Sequence, residues 1–300
     1  MYNGIINVYK EAGFTSHDVV AKLRGILKQK KIGHTGTLDP DAVGVLPVCL
    51  GSATKLCDML TDKSKEYQTE FLLGRVTDTQ DISGKVLSEE TVDITVLQTQ
   101  EAILSFVGAY DQVPPMYSAI KVDGKKLYQL AREGKEIERK ARPVHIDYIT
   151  ISSIELPKAA MTVGCSKGTY IRTLCHDIGQ KLGCGAVMTH LERTRAGGFV
   201  LEDAMTLGDI EKAAGQGTMG NYILPVDAVF KDYKAVTVEE KFKKLIDNGN
   251  SFYADMLITE DAYGDKETVR VYGGEGKFYG IYEYCSQEER FVPVKMFLEK

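Results

Sequence analysis

The stretch Gly33-His34-Thr35-Gly36-Thr37-Leu38-Asp39-Pro40-Asp41-Ala42-Val43-Gly44-Val45-Leu46-Pro47 sets one carboxylate, Asp39, inside a glycine-rich, turn-prone segment. A short apolar run, Val43, Val45, Leu46, Val48 and Leu50, follows at once. Glycine reaches backbone dihedrals closed to other residues and proline locks its own, so the segment predicts a stiff loop beside a buried run. A loop of that kind can hold a reactive acid still. An Asp before a Pro also begins ordinary turns, and on this stretch alone the two readings stand level.

Working outward, 300 residues correspond to about two domains, with a core large enough to need no disulfide staples. The apolar and charged fractions are those of a soluble globular chain. No apolar stretch approaches the length that crosses a bilayer. The N-terminus, Met1-Tyr2-Asn3-Gly4-Ile5-Ile6-Asn7, has no basic region and no long apolar segment, so no secretory signal and a cytoplasmic location are expected. The six cysteines form no C-x-x-C pair, and no histidine joins them at zinc spacing. They read as buried thiols in a reducing compartment. No metal site and no cofactor motif is expected; a lone G-x-G at 183–185 follows no strand, and no P-loop pattern occurs.

The net charge of −5 conceals an uneven distribution. Residues 1–200 carry 25 Lys and Arg against 23 Asp and Glu; residues 201–300 carry 12 against 19. Lys121, Lys125, Lys126, Arg132, Lys135, Arg139, Lys140 and Arg142 crowd one segment, and Arg24, Lys28, Lys30 and Lys31 precede the opening loop. Two local basic patches on an acidic chain suit a compact, shaped polyanion better than long duplex DNA.

Periodicity predicts a strand over 4–9 and a helix over 17–27 capped by Ser16. It further predicts helices over 53–60, 96–107, 126–132 and 239–246, and a helix that Thr169–Leu174 lead into, ending near Leu182. Strands are expected over 67–73, 144–156, 161–166, 187–195 and 198–200. Residues 77–84 read as a loop, and Pro114-Pro115 excludes a regular element at 112–117. Pro225 to Lys234 reads as a domain boundary. Beyond it, short strands over 256–258, 268–272, 277–284 and 291–297, with a turn at Gly273–Gly276, describe a small barrel-like β unit.

Chemistry alone gives a short set of candidates. Asp39 is the best nucleophile or base, and an ionised carboxylate of that kind wants an arginine partner. Arg172, in Gly168-Thr169-Tyr170-Ile171-Arg172, fits that role as well as it fits a surface ion pair. Tyr67 at a strand start is either a core residue or a ring that stacks on a base. His34 reads as a loop cap or a phosphate or base contact. Lys55 opens a helix, where a phosphate contact and a solvated lysine are equally natural.

Several motifs in fixed order resemble those of the TruB family of bacterial tRNA pseudouridine synthases, over almost the whole chain. They are G-H-T-G-x-L-D-P-x-A-x-G-V-L at 33–46, T-K-x-x-x-x-L at 54–60, Lys65-Glu66-Tyr67, and T-D-T-x-D-x-x-G at 77–84. Q-x-P-P-x-Y-S-A-x-K at 112–121, S-x-G-T-Y-I-R at 166–172, Gly183–Ala186 and Leu191-Glu192-Arg193-Thr194-Arg195 follow. The tail, with Asn248-Gly249 and Tyr279–Tyr282, is similar to a PUA-like RNA-binding domain. One motif departs: where the family has K-P-x-G-x-T-S, this chain has Lys10-Glu11-Ala12-Gly13-Phe14-Thr15-Ser16.

The resemblance implies an α+β fold: a catalytic domain over 1–230 with a mixed, largely antiparallel sheet flanked by helices, a basic insertion at roughly 110–143, and a PUA-like barrel over 234–300. It implies conversion of uridine 55 in the T loop of tRNA to pseudouridine, with the target base flipped out of its stack and no cofactor or metal consumed. Asp39 would begin the reaction, at C1′, at C6 or at a ribose proton. Arg172 would keep it charged and aimed. Tyr67 would stack on the uracil and help remove the C5 proton. Leu191 would pack against the flipped base. His34, Lys10, Lys55 and Tyr170 would contact the RNA. The implied partner is the tRNA T-arm, with no obligate protein partner, and the chain would be a monomer. An RNA-guided relative and a non-catalytic RNA-binding protein are the alternative readings.

Overall fold

The computed structural model describes every residue except 123, 260, 299 and 300. In chain order the first strands and helices are β1 (Gly4–Lys10), α1 (Ser16–Ile26), β2 (Ile32–His34), β3 (Val43–Leu50), α2 (Cys57–Thr61) and β4 (Lys65–Leu73). Next come β5 (Arg75–Thr77), β6 (Val86–Glu89), α3 (Val96–Leu104), β7 (Gly108–Gln112), β8 (Lys121–Val122), β9 (Lys125–Lys126) and α4 (Leu127–Arg132). Then follow β10 (Arg142–Glu155), β11 (Lys158–Cys165), α5 (Ile171–Lys181), β12 (Ala186–Ala196), β13 (Phe199–Val200) and α6 (Leu207–Gly215). The last part holds β14 (Lys234–Thr237), α7 (Lys243–Asp247), β15 (Phe252–Tyr253), β16 (Thr268–Tyr272), β17 (Phe278–Cys285) and β18 (Arg290–Met296).

The large sheet has the order β1-β3-β12-β4-β11-β10-β7, with β2 on β3 and β13 on β12. Within it the pairing of β12 with β3 is parallel and the others are antiparallel, so the sheet is mixed and largely antiparallel, as the resemblance implies. β4 shows why these residues form strands. Lys65, Tyr67, Thr69, Phe71 and Leu73 alternate inward while Gln68 and Glu70 face solvent. Over that buried face lies α5, whose Ile171, Leu174, Cys175 and Ile178 fall on one helical stripe and join Tyr67, Phe71 and Leu73 in a single core.

The apolar run of the opening segment is β3. Its Leu46, Val48 and Leu50 pack with Ile6 and Val8 of β1 under α1 and α6. The alternate residues Ile5 and Cys49 point the other way, into a cluster with Leu56, Leu60, Val226, Phe230, Ile281 and Phe297. Ile281 and Phe297 belong to the C-terminal unit. That unit is a curled five-stranded sheet, β14-β16-β17-β18-β15, with a core of its own built on Val236, Val269, Val271, Tyr279, Tyr282 and Phe291.

Four local expectations change. The helix expected over 239–246 is a 3-10 turn, Glu240–Phe242, running into the short α7. The N-cap of α1 is Thr15, not Ser16: Thr15 and Asp18 form a reciprocal capping box. Ser16 is thereby turned inward. The stretch 53–60 is a 3-10 turn, Gly51–Leu56, running into the short α2. Residues 256–258 form no regular strand; a 3-10 turn at Ala254–Met256 leads to one isolated bridge between Leu257 and Val238.

Candidate active site

The loop that carries Asp39 is fastened on both sides of the aspartate. The Leu38 amide donates to Ser16 Oγ at 2.9 Å. The Pro40 carbonyl accepts from the Gly13 amide at 3.0 Å and from Lys10 Nζ at 2.9 Å. Both anchors come from the turn at 10–16, where Gly13 adopts φ +84°. Lys10 also donates to the carbonyls of Glu11, at 3.1 Å, and Phe14, at 2.6 Å. A fully buried ammonium thus uses its three protons to close a turn that lacks the family's proline. This corrects the expectation that Lys10 meets RNA. Burial pushes its pKa down to about 8, with Asp39 and Asp41 opposing that shift.

Arg172 meets Asp39 from α5. Its Nε lies 3.0 Å from Oδ2, and Nη2 donates to Oδ1 at 3.4 Å. Nη1 donates to the Thr79 carbonyl at 3.0 Å and to Asp81 Oδ2 at 3.3 Å. Nη2 also donates to the Tyr117 carbonyl at 2.9 Å. All three guanidinium nitrogens are therefore engaged, and the side chain is only 5 % exposed. A planar fork fixed by the 77–84 loop and the 112–117 segment leaves the carboxylate one orientation. Asp39 itself is 40 % exposed, open to solvent on one side. Burial pushes its carboxyl above the ordinary carboxylate range, Arg172 pulls it down, and Asp81 pushes it up again. Because the side chain keeps that open side, Arg172 contacts a carboxylate that substrate can also reach.

The beginning of α5 is itself held. Gln112 Oε1 accepts from the Tyr170 amide at 2.8 Å, and Gln112 Nε2 donates to the Tyr170 carbonyl at 3.0 Å. A side-chain amide thus takes the place of a backbone partner two residues before Arg172. The half-buried Tyr170 occupies the N-cap position of α5, with no side-chain capping bond of its own.

Tyr67 and Leu191 line the same side of the sheet as Leu38, all three in one core. Burial pushes the Tyr67 phenol up, and neighbouring Arg193 pulls it back. His34 ends β2 at the mouth of the loop. Its Nδ1 accepts from the Gly36 amide at 3.4 Å, and its ring stands edge-on to His17 with centroids 5.1 Å apart. Burial pushes its pKa down, with His17 adding to the effect. The structure therefore brings Asp39, Arg172, Tyr67 and Leu191 together, with His34 and Tyr170 in segments that hold the site. Lys55 is turned elsewhere: its Nζ donates to the Met296 carbonyl at 2.7 Å and ties the 3-10 turn to the C-terminal sheet. Sequence reasoning assigned no role to Asp81, Gln112, Tyr117 or Arg193, although each lies in a quoted motif. No group of three or more metal-ligating side chains occurs among the described residues.

This arrangement can present an oriented, ionisable carboxylate beside an aromatic ring and an aliphatic wall, which suits a flat base and the sugar attached to it. The chain is similar to known proteins along nearly its whole length. Residues 24–171 match the TruB family pseudouridylate synthase N-terminal domain, and residues 172–231 match the tRNA pseudouridylate synthase B C-terminal domain. A protein of Lachnoclostridium phytofermentans named tRNA pseudouridine synthase B is 52% identical over 99% of this chain and 100% of its own length. One of Clostridium acetobutylicum with the same name is 47% identical over 98% of this chain and 99% of its own. Among solved structures, a Cbf5-Nop10-Gar1 complex contains a chain similar to this one at TM-score 0.72 and 27% identity, over 98% of this chain and 85% of that one. An H/ACA RNP bound to a substrate RNA containing 2'-deoxyuridine contains another, at TM-score 0.71 and 26% identity, with the same coverage. The Asp39 loop, its arginine clamp and the near full-length likeness lead to one conclusion: the chain belongs to the TruB family of pseudouridylate synthases.

Proposed function

We propose that this chain is a tRNA pseudouridine synthase that isomerises uridine 55 of the T loop, acting alone on the T-arm. Asp39 begins the reaction as the nucleophile or base that frees the uracil from C1′. The observation that carries the reading is the fork of Arg172 on both oxygens of Asp39, on a carboxylate that keeps one open side. Arginine favours the ionised form, and the anchors at Leu38 and Pro40 hold it in place before substrate arrives. The reaction is an isomerisation. The C1′–N1 bond breaks, the uracil turns, a C1′–C5 bond forms, C5 loses its proton and N1 gains one, so nothing else is consumed.

Tyr67 stacks on the flipped uracil and takes up the C5 proton, with Leu191 packing against the base from another side. His34 and Tyr170 contact the extruded loop nucleotides. Recognition rests on the folded shape of the T loop, which is usual for RNA. The basic segment at 121–142 grips the arm through phosphates, and the sheet over 234–300 serves as a PUA-like accessory RNA contact. The enzyme works as a cytoplasmic monomer. Relatives named for tRNA modification match this chain at about half identity along their full length, and this supports a tRNA substrate over guide-RNA dependence.

The test is direct. Purified protein is incubated with unmodified tRNA transcript, and pseudouridine is mapped. The expected result is modification at uridine 55 with protein and tRNA alone. Modification that appears only when guide RNA and partner proteins are added would instead make this chain the catalytic subunit of an RNA-guided enzyme.

A further inference from the structure

Arg193 lies in the Leu191–Arg195 motif and takes no part in the reading above. β12 runs between β3 and β4, and Arg193 stands where both neighbours pair with it, opposite Gly44 on one side and Tyr67 on the other. Cross-strand partners project to the same face, so Arg193, Tyr67 and, two residues along, Leu191 share the face that Asp39 overlies. The approach to β3 depends on glycine. Gly44 has φ +103°, and a Cβ there would sit 2.3 Å from the Arg193 carbonyl oxygen.

The side chain is 1 % exposed. Its Nε donates to the Val45 carbonyl at 2.7 Å, just past the Asp39 loop. Its Nη2 is buried with no hydrogen-bond partner, and no carboxylate lies within ion-pair distance of Arg193 among the described residues. A buried guanidinium without an acid is costly, and an apolar side chain of similar volume would serve packing better. Its charge is felt across the site: it pushes down the pKa of Lys10, Lys65 and His34, and it opposes the effect of burial on Tyr67.

We propose that Arg193 is a positioning residue for Tyr67, holding the phenol oxygen in place and favouring it as the acceptor of the C5 proton. The proposal rests on the reading of Tyr67 as that acceptor. Tyr67 must be a phenolate to accept that proton, and positive charge at the paired strand position favours the phenolate against the burial that raises the phenol's pKa. The Nε contact with Val45 couples the same guanidinium to the strand that leaves the Asp39 loop.

The experiment compares single-turnover rates on a T-arm stem-loop whose target uridine carries hydrogen or deuterium at C5. Arg193→Met is expected to bind the RNA normally and to slow turnover about 100-fold, with an enlarged C5 isotope effect, because proton removal becomes the slow step. Arg193→Lys, which keeps the charge, recovers most of the rate. A role in packing alone predicts lost rate with an unchanged isotope effect and no rescue by lysine, and that result overturns the proposal. So does an Arg193→Met rate within about three-fold of the parent, far short of the loss expected of an acid–base step. Tyr67→Phe, run alongside, separates the two assignments. If that variant is fully active, the role of Tyr67 itself is removed. If it is inactive while Arg193→Met is normal, only the role of Arg193 is removed.

Discussion

In the proposed reaction Asp39 acts as a carboxylate, and its surroundings set the pH at which it ionises. Burial and the nearby Asp81 raise its pKa while Arg172 lowers it, with a net shift upward. The ionised fraction therefore grows as pH rises through a value above the ordinary ~3.9 of an aspartate. Single-turnover rates on a T-arm stem-loop should fall on acidification at a higher pH than a free aspartate would give, while RNA binding persists. A rate that is flat down to the ordinary carboxylate range would contradict that environment. At this scale the sequence was informative about partners and poor about reach. An acid on a stiff loop calls for a cation, and Arg172 in a strand-to-helix motif was the natural one. Lys55, which the sequence left level between a phosphate contact and a solvated lysine, is exposed and also reaches across the chain. Its partner, the Met296 carbonyl, lies 241 residues away, and no local pattern encodes that distance.

The turn at 10–16 and the loop at 35–42 behave as one element, because Lys10, Gly13 and Ser16 from the first fasten residues 38 and 40 of the second. Lys10→Met removes the lysine's hydrogen bonds to the carbonyls of Glu11, Phe14 and Pro40, of which Pro40 keeps the Gly13 amide; a lost hydrogen bond of this kind costs about 0.5–1.5 kcal/mol, more where a charged donor is lost. The expected outcome is a lower unfolding midpoint and reduced turnover, with unchanged affinity for tRNA and unchanged salt dependence of binding. A lysine on the RNA would do the reverse, weakening binding and flattening the salt slope. The same element explains the displaced helix cap. Thr15 with Asp18 three residues on is a capping-box pattern, and Ser16 passes for the cap until Leu38 is seen to use its hydroxyl. The long strands and helices were legible because their apolar residues keep a regular period. Residues 256–258 were not, because three apolar-rich residues fit a strand or a tight turn equally well.

Across the whole molecule, the C-terminal sheet is joined to the rest of the chain by packing. Ile281 and Phe297 complete a cluster with Ile5, Leu56, Leu60, Val226 and Phe230 of the rest of the chain. Removing residues 234–300 would expose that cluster and cut the Lys55–Met296 tie. Truncation is therefore expected to lower the unfolding midpoint and promote aggregation, which thermal denaturation and light scattering would register. A truncated chain as stable as the parent would show that the shared cluster contributes little. The short strands of the C-terminal sheet were legible from turn residues and alternation beyond residue 234. The shared cluster was not, because alternate residues of β1 and β3 serve two different cores and the sequence shows one apolar run.

The account depends most on Asp39, held in one orientation by Arg172 and open to substrate on one side. Asp39→Asn keeps the size of that side chain while removing its charge and one of its two acceptors for Arg172. On a T-arm stem-loop it should bind with parental affinity and form no pseudouridine. Pseudouridine formation by this variant at a rate near that of the parent would contradict the account.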